Sequence, residues 1–176
     1  MQVAYFTAVM ARSAAAWKAR DVEVDETSSL DDLADALRGV AIGDQPVLAV
    51  VEHEDEWFAI IRVDGEDEPR LFVSDLYAAS RSSYGELLAP AADVDDDSDD
   101  SSDEAADGDD EDEDGDAEPE EITVDAWAGE TDLLDDLGVG GKALRKLVEE
   151  HADDPGFVLG EIGEAVGFSD LLEALR

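Results

Sequence analysis

The first half of the chain contains short segments in which apolar and polar positions follow the pattern of β-strands. Residues 3–10 alternate with period two and are apolar on both faces, and residues 17–24 place charged side chains between their apolar positions. The apolar runs 46–51, 57–63 and 70–74 are short and bounded by turn residues, which is also typical of strands. The short intervals between these three runs favour antiparallel hairpins.

Two helices are predicted among these strands. Residues 30–37 have apolar side chains at positions i, i+3, i+4 and i+7, with serines before them as N-caps and a glycine after them as a stop signal. Residues 75–88 form the second predicted helix. The order of elements therefore predicts an α+β domain over residues 1–90, with an antiparallel sheet of about five strands and one or two helices.

The composition changes sharply after this domain. Residues 93–121 contain 19 acidic and no basic residues, and Val94 is the one sizeable hydrophobic residue between positions 89 and 121. Like charges at this density repel each other, and no apolar area offsets the entropy of ordering the chain. We therefore expect residues 91–121 to be a disordered acidic linker.

Residues 122–176 are predicted to form a small all-α module. An anchor at 122–127 is followed by four short helices. They are predicted at 132–137, at 142–150, from Pro155 and from Ser169. A module of this size is marginally stable alone, which favours docking onto the first domain or onto a partner.

Composition and charge exclude several functional classes. The 176 residues include 50 acidic and 11 basic side chains, for a net charge of −39, and no cysteine. Without cysteine there is no disulfide, no zinc ribbon and no cysteine nucleophile. Because the chain has no apolar run long enough for a membrane helix and no signal peptide pattern, we expect a cytoplasmic protein. Its negative field disfavours direct binding to nucleic acid or anionic membranes.

One motif resembles a metal site, but its context argues against it. Residues 110–121 match the EF-hand template D-x-[DN]-x-[DN]-G-x5-E, whose alternate side chains surround calcium. Ala117 stands where a large aliphatic residue is usual, Pro119 interrupts the following turn, and no amphipathic helix precedes the loop. Since an acidic tract produces such a pattern by chance, we predict no metal site.

No catalytic or cofactor-binding residue is predicted. His53 lies among four acidic residues and is interpreted as part of a solvated hairpin turn, and His151 as a histidine at a helix end. The chain has neither the G-x-S-x-G sequence of a nucleophile elbow nor a phosphate-binding P-loop.

Aromatic and basic residues are concentrated in the predicted strands between positions 57 and 72. They are Trp57, Phe58, Arg62, Arg70 and Phe72. Two interpretations remain open. The aromatic residues belong to the core and the arginines pair with local acids, or all five form a surface that faces a partner, since Trp and Arg are typical interface anchors. These five residues are the candidate partner-binding site.

The chain resembles the actinobacterial family of tRNA adenosine deaminase-associated proteins. No single motif is diagnostic, and the resemblance rests on the order and spacing of several segments. They are VAYFTAVMARSAAAWKAR (3–20), LDDLADALR (30–38), DEWFAIIRVDG (55–65), EPRLFVSD (68–75), DLLDDLGV (132–139) and GEAVGFSDLLEALR (163–176). Such proteins take their name from genes that neighbour the gene of the deaminase, so the resemblance implies a protein partner and no catalytic residues.

The chain is not the deaminase itself. A zinc deaminase holds its metal and moves protons with H-x-E and P-C-x-x-C motifs. The chain has no cysteine, and Asp55 stands at the glutamate position that follows His53.

The favoured hypothesis is a non-enzymatic accessory protein of tRNA modification. The strand region would bind a protein partner such as the tRNA adenosine deaminase, and the acidic tract would compete with RNA for the partner's basic surface. The alternative is a stand-alone acidic regulatory or interaction module with a different partner. An enzyme or a calcium-binding protein ranks below both.

Overall fold

The structure, a computed structural model, describes residues 5–53, 56–93 and 127–175, without the side chains of Asp25 and Asp93. Within these residues, six strands form one antiparallel sheet. They are β1 (Tyr5–Ser13), β2 (Ala16–Arg20), β3 (Val47–His53), β4 (Trp57–Val63), β5 (Arg70–Val73) and β6 (Ala128–Gly129). Their order across the sheet is β2-β1-β3-β4-β5-β6. The sequence predicts only an anchor segment near the position of β6.

Helices lie on both sides of this sheet. They are α1 (Leu30–Val40), α2 (Leu76–Ser80), α3 (Gly85–Leu88), α4 (Pro90–Asp93), α5 (Gly141–Glu150), α6 (Pro155–Val166) and α7 (Ser169–Leu175). An antiparallel sheet with helices of this kind confirms the predicted α+β class. None of the helices in the described ranges is long and apolar enough to cross a bilayer.

Alternation along the strands sends side chains into two separate cores. Val9, Ala49 and Ile61 belong to the core beneath α1–α4, and their neighbours Met10, Val50 and Ile60 belong to the core beneath α5–α7. A sheet that is covered on both faces needs apolar residues at consecutive positions. This requirement explains why the predicted strands are apolar on both faces.

The C-terminal segment completes the second core. Its helices cover the sheet face that carries Phe58 and Phe72, and the indole Nε1 of Trp17 on β2 donates to the carbonyl of Val166 at 3.2 Å. Residues 91–93 of the predicted linker belong to α4, and the rest of the linker lies outside the described residues. The division of the chain into domains 1–90 and 122–176 stays a prediction.

The single helix predicted over residues 75–88 is wrong, because the chain forms two short helices there. Asp75 caps α2 by accepting a hydrogen bond from the backbone N–H of Ala78 at 2.9 Å. The hydroxyl of Ser82 donates to the carbonyl of Ala79 at 2.6 Å and interrupts the helical hydrogen bonding. The chain then turns so tightly that a Cβ at position 85 would lie 2.7 Å from the carbonyl oxygen of Ser80, which glycine avoids.

Two other predicted elements are shorter than expected. β2 ends at Arg20 and does not continue to residue 24, because Val24 turns inward and is buried in the core beneath α1–α4. The helix predicted at 132–137 is a series of turns that ends in a 3-10 segment, Asp135–Leu137, followed by Gly138 at φ 114°. The helices predicted at 142–150 and from Pro155 are present, the second with Asp154 as its N-cap.

Candidate functional site

The five candidate partner-binding residues do not form one exposed surface. Trp57 is fully buried beneath α1–α4, whereas Phe58 and Phe72 are buried beneath α5–α7, on the opposite face of the sheet. Arg62 is 5% exposed, and Arg70, its neighbour across β4 and β5, is half-buried. In this structure the three aromatic side chains therefore present no surface to a partner.

Arg62 is bound on every side by groups of the same chain. Its guanidinium donates to Asp64 at 2.7 and 2.9 Å, to both carboxylate oxygens of Asp136 at 2.5 and 2.9 Å, and to the carbonyl of Leu133 at 2.6 Å. The hydrogen bonds that Arg62 donates to Asp136 raise the pKa of Arg62, against the opposing effect of burial. The same bonds lower the pKa of Asp136.

Arg70 makes a second pair of contacts beside the first. Its Nε donates to the carboxylate of Glu130, and its Nη2 donates to Asp132 at 2.9 Å. Burial lowers the pKa of Arg70, but the two carboxylates outweigh burial and the pKa is raised. Together the two arginines fix residues 130–136 to the sheet.

This arrangement corresponds to the first interpretation of the five residues, with one difference. The arginines do pair with acids, but only Asp64 is local in sequence, and the other three carboxylates come from the C-terminal segment. A partner-binding role for the five residues stays a prediction. It would require the C-terminal segment to leave the sheet.

The interpretation of His53 as a solvated turn residue is wrong. His53 ends β3 and is only 9% exposed, with its ring centroid 4.7 Å from that of Tyr5 and 6.0 Å from that of Trp57. Its Nδ1 lies 2.8 Å from Oε2 of Glu56, an ion-pair distance when the imidazole is protonated, and Nε2 has no hydrogen-bond partner in the described part of the chain. Tyr84 completes the aromatic cluster.

A cavity of about 260 Å³ opens beside this cluster. It is lined by Tyr5, His53, Glu56, Ala78, Arg81 and Ser82. The hydroxyl of Ser82 donates to a backbone carbonyl and accepts from the N–H of Tyr84, so it is not paired with the histidine as a nucleophile would be. The sequence gives no signal for this cavity, because only the register of β1, β3 and β4 brings Tyr5, His53 and Trp57 together.

The other sequence candidates contribute little chemistry. His151 follows α5, as predicted, and its ring contacts Phe157 at a centroid distance of 4.5 Å. The EF-hand match at 110–121 lies outside the described residues. In the ranges that are described, no group of three or more histidine, aspartate or glutamate side chains is arranged to hold a metal ion.

The two ends of the acidic segment lie close together. α4, which ends at Asp93, contacts β6, which begins at Ala128, and both contact β5. β6 approaches β5 so closely that a Cβ on Gly129 would lie 2.2 Å from the carbonyl oxygen of Leu71. The described residues that flank positions 94–126 therefore lie at one edge of the sheet.

Three arginines are bound by oxygen atoms of the same chain. Besides Arg62 and Arg70, Arg38 donates to Asp35 and to the carbonyls of Gly65 and Asp67. Lys142 and Lys146 on α5 are exposed, and Nζ of Lys146 lies 3.9 Å from Oε1 of Glu150.

Comparison with known families gives one match. The family model described as Rv3753c-like tRNA adenosine deaminase-associated protein matches residues 5–169. The matched range includes the sheet, α1–α6 and the acidic segment, and it ends at the first residue of α7. Neither the curated proteins nor the solved structures contain a match to the chain.

Proposed function

Because the chain belongs to the Rv3753c-like tRNA adenosine deaminase-associated protein family, we propose that it is a non-enzymatic accessory protein that binds the deaminase. The family description names the deaminase as an associated protein. The chain itself lacks the cysteine ligands that a zinc deaminase requires. The protein would act in the cytoplasm. It would bind neither nucleic acid nor membrane directly.

The observation that carries the proposed mechanism is the contact between α4 and β6. Because the residues that flank positions 94–126 lie at one edge of the sheet, the 19 acidic residues of positions 93–121 would form a polyanion that is tethered to this edge at both ends. A surface that binds tRNA is basic, since it neutralises phosphates. In a complex with the deaminase, the polyanion would lie near the RNA-binding surface of the enzyme. There it would compete with tRNA.

The first experiment is size-exclusion chromatography with light scattering on the protein and the deaminase of its own organism, at low and at moderate salt. We expect co-elution at both salt concentrations, because folded surfaces contribute contacts that salt does not screen. Co-elution at low salt only would indicate that the acidic segment binds any basic surface. The absence of a complex at both would contradict the proposal and favour the stand-alone acidic module.

The competition is tested by converting every carboxylate between residues 95 and 121 into its amide. This variant keeps the length of the segment and both of its attachment points. We expect it to bind the deaminase but to lose inhibition of tRNA binding, measured by fluorescence anisotropy of labelled tRNA. A variant with the same acidic residues in shuffled order is the matched control and should inhibit like the wild type. Undiminished inhibition by the amide variant would exclude the polyanion as the competitor.

A further inference from the structure

α6 has an exposed face opposite the side that packs on the sheet. Its buried residues are Pro155, Val158, Leu159, Ile162 and Gly163. The exposed face carries Phe157, Gly160, Glu161 and Glu164, which follow one another at helical spacing. This face forms one wall of a groove of about 330 Å³, and Ser169, Asp170, Leu172 and Glu173 of α7 form the other.

No contact within the described part of the chain requires a glycine at position 160. Glycine within a helix is unfavourable relative to alanine by about 1 kcal/mol. At Gly163, one turn later, the reason is visible, because an added Cβ would lie 3.1 Å from Cα of Ser169 at the start of α7. At Gly160 an added Cβ would meet no atom within 4 Å and would project into the groove. A close approach by a partner's backbone explains a glycine at this position.

The groove combines an apolar contact with a single sign of charge. Phe157 is 44% exposed, and among the described aromatic residues only Tyr77 is more exposed. Leu172 lies on the wall opposite, where it is mostly buried. Four carboxylates surround these apolar groups, and none of the eight residues that line the groove, all in the described range, is basic. The four carboxylates are those of Glu161, Glu164, Asp170 and Glu173.

We propose that this α6–α7 groove binds a basic amphipathic helix of a partner protein. The apolar face of that helix would contact Phe157, its backbone would cross Gly160, and its lysine or arginine side chains would pair with the four carboxylates. α6 extends over about 18 Å, which matches a partner helix of about three turns. The inference rests on the proposed function in one respect, namely that the partner is basic.

The test uses the full chain with the carboxylates of residues 95–121 converted to amides, so that the acidic segment does not compete for the probe. The probe is a helical peptide of leucine and lysine, about five turns long. Titration followed by ¹H–¹⁵N NMR should shift the amide signals of α6 and α7. Shifts that lie mainly elsewhere would overturn the inference.

Gly160→Ala gives two readouts of opposite sign. We expect the melting temperature to rise by about 2–4 °C, because alanine stabilises the helix and its Cβ meets nothing. Peptide affinity should fall about tenfold, because the same Cβ obstructs the partner's backbone. The matched control is Gly39→Ala in α1, where an added Cβ also meets nothing. It should leave the melting temperature unchanged or raise it, and it should leave affinity unchanged.

The contribution of the carboxylates to peptide binding is tested with two double variants. Glu161→Gln with Glu164→Gln should weaken peptide binding several-fold at low salt. Glu149→Gln with Glu150→Gln on α5 changes the net charge equally and should have little effect. Wild-type affinity for Gly160→Ala, or equal losses in the two glutamate pairs, would overturn the inference. These outcomes do not depend on the deaminase, so the proposed function and the groove can fail separately.

Discussion

Arg62 joins β4 to a carboxylate 74 residues later in the chain. Its side chain is almost completely buried, and such a charge is tolerated only when it is paired and hydrogen-bonded. Asp64, Asp136 and the carbonyl of Leu133 meet this condition. A residue that the sequence offered as an interface anchor thus anchors the chain to itself.

Replacing Arg62 with alanine should destabilise the protein by about 2–4 kcal/mol, because it leaves the carbonyl of Leu133 and two carboxylates without their donor. Urea denaturation measures the change. Arg20→Ala, at the exposed end of β2, is the control and should change stability by less than about 0.5 kcal/mol. Equal effects of the two substitutions would contradict the structural role of Arg62.

Arg62→Ala should also change how the stability of the folded state depends on pH. Arg62 holds the pKa of Asp136 below its usual value of 3.8, so the pair stabilises the folded state above that pH and loses this stabilisation as the pH falls through the lowered pKa. The stability difference between the wild type and Arg62→Ala should therefore narrow as the pH falls from about 5 to about 3. A difference that is constant over this range would show that Asp136 is not paired in solution.

Among the described strands and helices, β6 is the shortest, and its position is fixed by contacts with neighbouring elements. Two residues pair with β5, and the N–H of Glu130 donates to the carbonyl of Leu71 at 2.9 Å. Gly129 allows this approach, because its φ of 100° and the proximity of Leu71 both exclude a side chain. β6 in turn places Glu130 and Asp132 beside Arg70.

Gly129→Ala should therefore cost about 1–3 kcal/mol of stability, from the unfavourable φ and the contact with Leu71. Urea denaturation midpoints measure the cost. Gly39→Ala introduces the same methyl group where nothing obstructs it and should be neutral or stabilising. If Gly129→Ala were as stable as the wild type, β6 would not pair with β5 as described.

At the scale of the whole molecule, the described residues form one sheet with two helical layers, one of which comes from the segment after the acidic tract. The second core contains side chains from β1–β5 and from α5–α7. The ion pairs of Arg62 and Arg70 likewise join residues before the acidic tract to residues after it. Burial of this apolar area and pairing of these charges favour a single assembly over two separate units.

Cleavage of the chain within residues 94–126 tests this assembly. With a specific protease site introduced at Ala105 and Ala106, we expect the two fragments to remain associated in size-exclusion chromatography after cleavage. The fragments should separate in urea, which serves as the control for complete cleavage. Separation under native conditions would instead support the predicted division into domains 1–90 and 122–176.

The sequence by itself determined the features that depend on near neighbours. The apolar runs predicted the strands, the serines before residue 30 predicted the start of α1, and Pro155 predicted the start of α6. The family was also recognisable, because its segments occur in a characteristic order. The strand and helix signals each lie within about ten residues, where periodicity, capping and turn chemistry act.

Only the tertiary structure decided which distant residues meet. Pairing of Arg62 with Asp136, burial of His53 between Tyr5 and Trp57, and the addition of β6 to the sheet depend on strand register and on packing of the last helices. Local patterns carry no information about such contacts, since the same arginine or histidine pattern is compatible with exposed and buried positions. The burial of two candidate partner-binding residues has the same origin: a second helical layer covers the sheet face on which Phe58 and Phe72 lie.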